Sequence, residues 1–244
     1  MLTLTSPVIV RGPTLATRTP TSTIASTASG TNDEETTPIV TRSHPTELPS
    51  AASGARCGRF FHSFGLTTMN EPFADFDLSD FWEDSDYATR EYVGPAITDL
   101  DVARVEKKLG YKLPKSYIKL MHTQNGGIPK RTNHRTSERT SWAEDHIAIT
   151  GIYSIGNEKT YSLCGEFESS FWVSEWGYPP IGIYFANCPS AGHDMLCLDY
   201  RECGPTGEPR VVHIDQERYH RITFVAKNFE SFVRCLEGED AFET

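Results

Sequence analysis

Hydrophobic positions first fall at helical spacing near residue 98. Thr98 with Asp101 fits a capping box, a hydroxyl at the N-cap and an acid at N3. Val102, Val105 and Leu109 follow on one stripe, and Gly110 suits a left-handed C-cap. Leu113-Pro114 predicts a second helix with Pro at its first position, continued by Tyr117, Leu120, Met121 and Gln124. Asn125-Gly126-Gly127 ends it, because these residues tolerate positive φ. Residues 128–146 are polar and read as a loop. Beyond them the pattern turns to strands: 147–153, 181–186, 195–200, 211–214 and 221–224. A short amphipathic helix over 169–175 interrupts them, stopped by Gly177 and Pro179-Pro180. Asn228 caps a last helix with Phe229, Phe232, Val233 and Leu236 on one stripe, closed by Gly238. Helices first, strands joined by short turns, then a helix predict an α+β fold: a mainly antiparallel sheet packed against N-terminal and C-terminal helices.

The remaining chain divides by composition. Residues 1–55 hold 20 Ser or Thr, 6 Pro and no aromatic residue. Such a segment buries too little apolar area to offset its chain entropy. The expectation is a disordered leader over 1–68 and a folded domain over 69–240, with Met69 as an alternative start of translation. Arg11 and Arg18 among many hydroxyls also resemble a transit peptide, but Pro7, Pro13 and Pro20 interrupt any amphipathic helix there. From Glu71 to Asp86 seven acids and no base interleave with Phe73, Phe76, Leu78, Phe81, Trp82 and Tyr87. Aromatics docked on a core with Asp75, Asp77, Asp80, Glu83 and Asp84 facing water is the expected arrangement. Its functional version is an acidic docking surface. The spacing is not that of a calcium loop.

A formal charge of −10 argues against a general nucleic-acid binder, which needs clustered positive charge. It leaves open a basic protein partner. The helix pair over 98–121 lacks the basic recognition helix of a DNA reader. No apolar run approaches the ~20 residues of a membrane helix. The cysteines (Cys57, Cys164, Cys188, Cys197, Cys203, Cys235) read as reduced thiols in a cytoplasmic protein, since no secretory signal precedes them.

The sharpest catalytic candidate is His193, Asp194, His213 and Asp215, the raw material of a hydrolase if two strands bring them together. Against it, His193 and Asp194 are neighbours that point to opposite strand faces, and His213 with Asp215 suits a surface pair. Zinc on Cys188, His193, Cys197 and Cys203 lacks any Cys-x-x-Cys pair, so no metal or cofactor is expected. Trp172 and Trp176 serve either as core or as anchors for a protein partner. The basic loop of Lys130, Arg131, Arg135 and Arg139, with Trp142 beside it, is either solvated or a contact surface.

Several stretches, in order, resemble the SUKH superfamily in its Smi/Knr-like branch: Leu109-Gly110, Leu113-Pro114, Asn125-Gly126-Gly127, Phe171-Trp172 to Tyr178, and Gly192-His193-Asp194 running to Tyr200. Val211 to Asp215 and the last helix complete the order. The resemblance implies a non-catalytic protein-binding module. The family takes in bacterial immunity proteins that neutralise toxins, often nucleases, and yeast regulators of cell-wall synthesis. It also implies structural roles for Asn125, Gly126, Gly127, Gly192 and Asp194. A monomer or weak dimer binding a protein, a basic toxin among the candidates, is therefore expected, with a regulatory scaffold as the alternative.

Overall fold

The computed structural model describes residues 71–242. The leader expected over 1–68, Cys57 and Met69 lie outside these residues.

The acidic arm enters through turns pinned by its rings, Phe73 and Phe81 being buried. It leads into α1 (Asp86–Glu91), capped by the Ser85 hydroxyl. Helix α2 (Asp99–Leu109) has the predicted capping box between Thr98 and Asp101, and Gly110 takes the left-handed C-cap at φ +77. Helix α3 (Lys115–Met121) starts one residue later than expected, with Pro114 at the N-cap. It also stops at Met121, short of Gln124.

The loop predicted over 128–146 holds a strand, β1 (Asn133–Arg135). The single strand predicted over 147–153 is two: β2 (His146–Ala148) pairs with β1, and β3 (Gly151–Ile152) joins the main sheet. Gly151 sits at the divide, where a Cβ would fall 2.4 Å from the Tyr92 ring. Alternation alone does not show such a change of partner, because both pieces bury their residues.

Helix α4 (Ser169–Trp176) ends in left-handed Gly177. Strands β4 (Gly182–Asn187), β5 (Asp194–Asp199), β6 (Arg210–Asp215) and β7 (Arg221–Ala226) follow. With β3 they form an antiparallel meander in the order β3-β4-β5-β6-β7. Helix α5 (Phe229–Arg234), capped by Asn228, ends two residues before Leu236, and a 3-10 turn over Glu239–Ala241 follows. The fold is α+β.

The central strand β5 buries all six residues, so both sheet faces are covered. On one face Phe185 meets the rings of Tyr117 from α3 and of Phe229 and Phe232 from α5. On the other, Tyr184 meets Tyr178, which packs against Trp172 of α4.

Two termini of the meander carry its buried charges. Asp199 ends β5, and both Arg201 and Arg210 bond its carboxylate at 2.8–2.9 Å. At the other end of the strand, Asp194 has no such partner.

Candidate functional site

Sheet register places Asp194 directly opposite Asp215, with Leu196 opposite His213. All three polar groups are buried, His213 at 0 % exposure and Asp194 at 3 %. His213 Nε2 lies 3.6 Å from Asp194 Oδ1, and neither ring nitrogen has a hydrogen-bond partner. The surface pair expected of His213 and Asp215 is thus a core cluster, flanked in the sheet by β7 and bonded from above by Ser141 of the β1–β2 loop. His193 stays outside. Its ring packs edge-on against Trp176, with Nδ1 3.2 Å from Gln216 Oε1.

The loop between β1 and β2 caps the cluster through Ser141. Its hydroxyl donates to Asp194 Oδ1 and its N–H to Asp215 Oδ2, both at 3.1 Å. Asp215 also accepts from the Arg218 N–H. Burial first, then the facing Asp215 carboxylate, push Asp194 up to about 6 against the Ser141 hydrogen bond. Burial lowers His213 to about 4, with Asp215 opposing. Burial acts to raise Asp199 too, but its Arg201 and Arg210 contacts hold it below the usual carboxylate range. The contrast shows what a guanidinium partner does for a buried carboxylate.

Chemically, the cluster brings together three of the four residues of the hydrolase reading. It sits under the Ser141 loop, not in a cleft. Among the described residues no group of three or more His, Cys, Asp or Glu side chains is placed to hold a metal ion. Of the zinc candidates, Cys188 and Cys197 are buried thiols that burial raises well above their ordinary range.

Trp172 is 4 % exposed, its indole N–H bonded to the Phe167 carbonyl. Burial places it in the core and takes it from the partner-anchor candidates. Trp176 is half-buried on the surface rim. Asp75, Asp77, Asp80, Glu83 and Asp84 are all exposed. Asp80 pairs with Lys130 and Glu71 with Lys119. Arg131 is exposed, and Arg135 is tied to Glu237 and stacked on Phe242.

Asn125 is buried. Its Nδ2 donates to the carbonyls of Pro95 and Ile155 at 2.9 Å, and its Oδ1 accepts from the Ile155 N–H at 2.8 Å. Gly126 follows at φ +85, where a Cβ would lie 2.7 Å from the Tyr92 carbonyl. Gly127 exchanges both backbone bonds with Ile152. Gly192, at φ +97, accepts from the Tyr178 hydroxyl and lies against the Trp172 ring. Asn-Gly-Gly thus stitches the α3 exit to β3, and Gly192-His193-Asp194 leads the chain onto β5.

The sequence profile of the SMI1 / KNR4 family (SUKH-1) matches residues 96–235. The chain belongs to this family. The match runs from just before the α2 cap to just after α5, so the SMI1/KNR4 region contains the whole meander and the Asn125 hook. The acidic arm precedes it. No curated protein matches the chain.

Sequence reasoning missed two residues of the site. Ser141, in a polar loop, gave no signal for its two hydrogen bonds to the sheet. Tyr219 is 99 % exposed in the β6–β7 turn, with positive φ at both Tyr219 and His220. A Tyr-His pair in a two-strand turn is a weak cue for such a conformation. Tyr219 and Trp142, itself 44 % exposed, both belong to loops at the Asp194–Asp215 end of the sheet.

Proposed function

We propose that this SMI1/KNR4-family chain is a non-enzymatic, cytoplasmic protein-binding module of toxin-immunity type, whose partner is a basic protein such as a nuclease toxin. The observation that carries the reading is the acidic arm. Phe73 and Phe81 anchor it in the core, and among the described residues Asp75, Asp77, Glu83 and Asp84 face solvent without an ion-pair partner. An uncompensated acidic ridge on a fixed support accelerates encounter with a basic surface. Trp142, Trp176 and Tyr219 at the sheet end supply the kind of aromatic contact that dominates interfaces. No described helix is long and apolar enough to cross a membrane. The domain is assigned to 69–240, acting as a monomer or weak dimer.

The test is association with a toxin encoded beside it. The fourfold neutralisation Asp75→Asn, Asp77→Asn, Glu83→Gln and Asp84→Asn should slow association at least tenfold at low salt and flatten its salt dependence. An unchanged rate refutes the acidic surface. The absence of any toxin bound or neutralised favours the regulatory-scaffold role that yeast members of the family suggest.

A further inference from the structure

The β1–β2 loop reaches the sheet through few bonds. Ser141 supplies two of them, to Asp194 and Asp215, and Glu138 adds an ion pair with Arg221 at 2.6 Å. Beneath Ser141 lie two carboxylates from adjacent strands and an imidazole with both nitrogens unbonded. We propose that Asp194, Asp215 and His213 form a proton-controlled latch that holds the Trp142 loop down when Asp194 is protonated and releases it when Asp194 is ionised.

The surroundings explain the direction. Facing Asp194 are Asp215 and His213 from β6, Glu217 and Arg218 from the following turn, and His193 from its own strand start. Cys188, at the end of β4, and Tyr178, whose hydroxyl bonds the Gly192 carbonyl, complete the shell. Of the nearby cations, Arg218 lies 3.6 Å from Asp215, and Arg221 is spent on Glu138. Asp194 therefore has no cation of its own, unlike Asp199. With both facing carboxylates ionised, the buried pair repels and is starved of water. Two responses relieve it: binding a proton, or lifting the loop so that water enters. A proton on Asp194 removes the repulsion, which outweighs the Ser141 hydroxyl bond that favours the carboxylate. The latched form thus binds this proton more tightly than the lifted form, and by linkage acid favours the latch. Since Asp194 is already raised to about 6, the change falls between mildly acidic and neutral pH. Its consequence for a partner rests on the reading of Trp142 as a contact residue.

Nuclear magnetic resonance of the full chain tests the latch without any partner, so failure of the binding function and failure of the latch are separable. The Asp194 carboxyl is titrated by its carbon shift from pH 5.0 to 7.5, and hydrogen-exchange protection of the Ser141 amide is measured alongside. Protection should fall about tenfold on going to pH 7.5, the factor one unit of proton linkage supplies, with its midpoint on the Asp194 titration. In Asp194→Asn, protection should stay high and flat, and in His193→Gln the midpoint should persist. Flat protection in the parent chain overturns the proposal. So does a midpoint that survives Asp194→Asn or vanishes in His193→Gln. Should Asp194→Asn not fold, Ser141→Ala, at an exposed site, replaces it. Loss of the hydroxyl bond should lower protection of the residue-141 amide throughout while keeping its fall with rising pH, and protection that no longer depends on pH overturns the latch.

Discussion

Replacing Asp194 by Asn and His213 by Leu, one at a time, separates two proton equilibria that hide one another in the parent protein. In the unfolded chain Asp194 titrates at its ordinary 3.8 and His213 at 6.5; in the fold they stand at about 6 and about 4. Asp194 is a raised acid. Its contribution to stability is full below pH 3.8 and is lost as pH rises through about 6. His213 is a lowered base. Its contribution is full above pH 6.5 and is lost as pH falls through about 4. Between about 4 and 6 the unfolded pair carries one proton, on His213, and the folded pair also carries one, on Asp194. The proton count is equal, so this pair adds no slope to stability there. Each variant removes one side of the cancellation. Relative to the parent, Asp194→Asn should gain stability with rising pH by ~1.4 kcal/mol per unit, about 3 kcal/mol across the window. His213→Leu should lose it at the same rate. Urea unfolding followed by far-ultraviolet circular dichroism at half-unit steps from pH 4 to 7 gives both difference curves. Two flat curves, or two slopes of the same sign, refute the neutral-pair description.

Three further outcomes test the architecture. Asn125→Ala strips two buried hydrogen bonds and a part-buried one and leaves the Ile155 N–H and two carbonyls unpaired, so stability to urea should fall by about 2–4 kcal/mol; a loss below ~1 kcal/mol contradicts the hook. Tyr219→Gly relieves a φ of +58 at a side chain that is fully exposed, and should raise stability by about 0.5–1 kcal/mol, while a fall in Tm rejects strain at this turn. Trp142→Ala should leave the melting temperature within about 1 °C, since the ring is exposed, yet weaken partner binding about tenfold or more by calorimetry. Unchanged affinity removes this loop from the contact surface.

Local chemistry was readable wherever it acts over a few residues. The Thr98–Asp101 box, the Gly110 and Gly177 caps, the Asn228 cap and the order of meander strands rest on short-range backbone bonding and on side-chain period, and these are properties of the sequence itself. The acidic arm was legible in part: Phe73 and Phe81 are buried as their alternation with carboxylates implies, while Tyr87 lies exposed. What needed the third dimension was the choice of partner. The division of 147–153 between two sheets depends on Gly151 meeting Tyr92, about sixty residues away in the chain. Burial of Trp172 depends on Phe167 and Tyr178 closing around it. The facing of Asp194 and Asp215 depends on the β5–β6 register, and the raised proton affinity of Asp194 depends on the burial and the opposing carboxylate that this register brings. Electrostatics of a buried group is set by what surrounds it in space, and neighbours in space are what a linear sequence does not state.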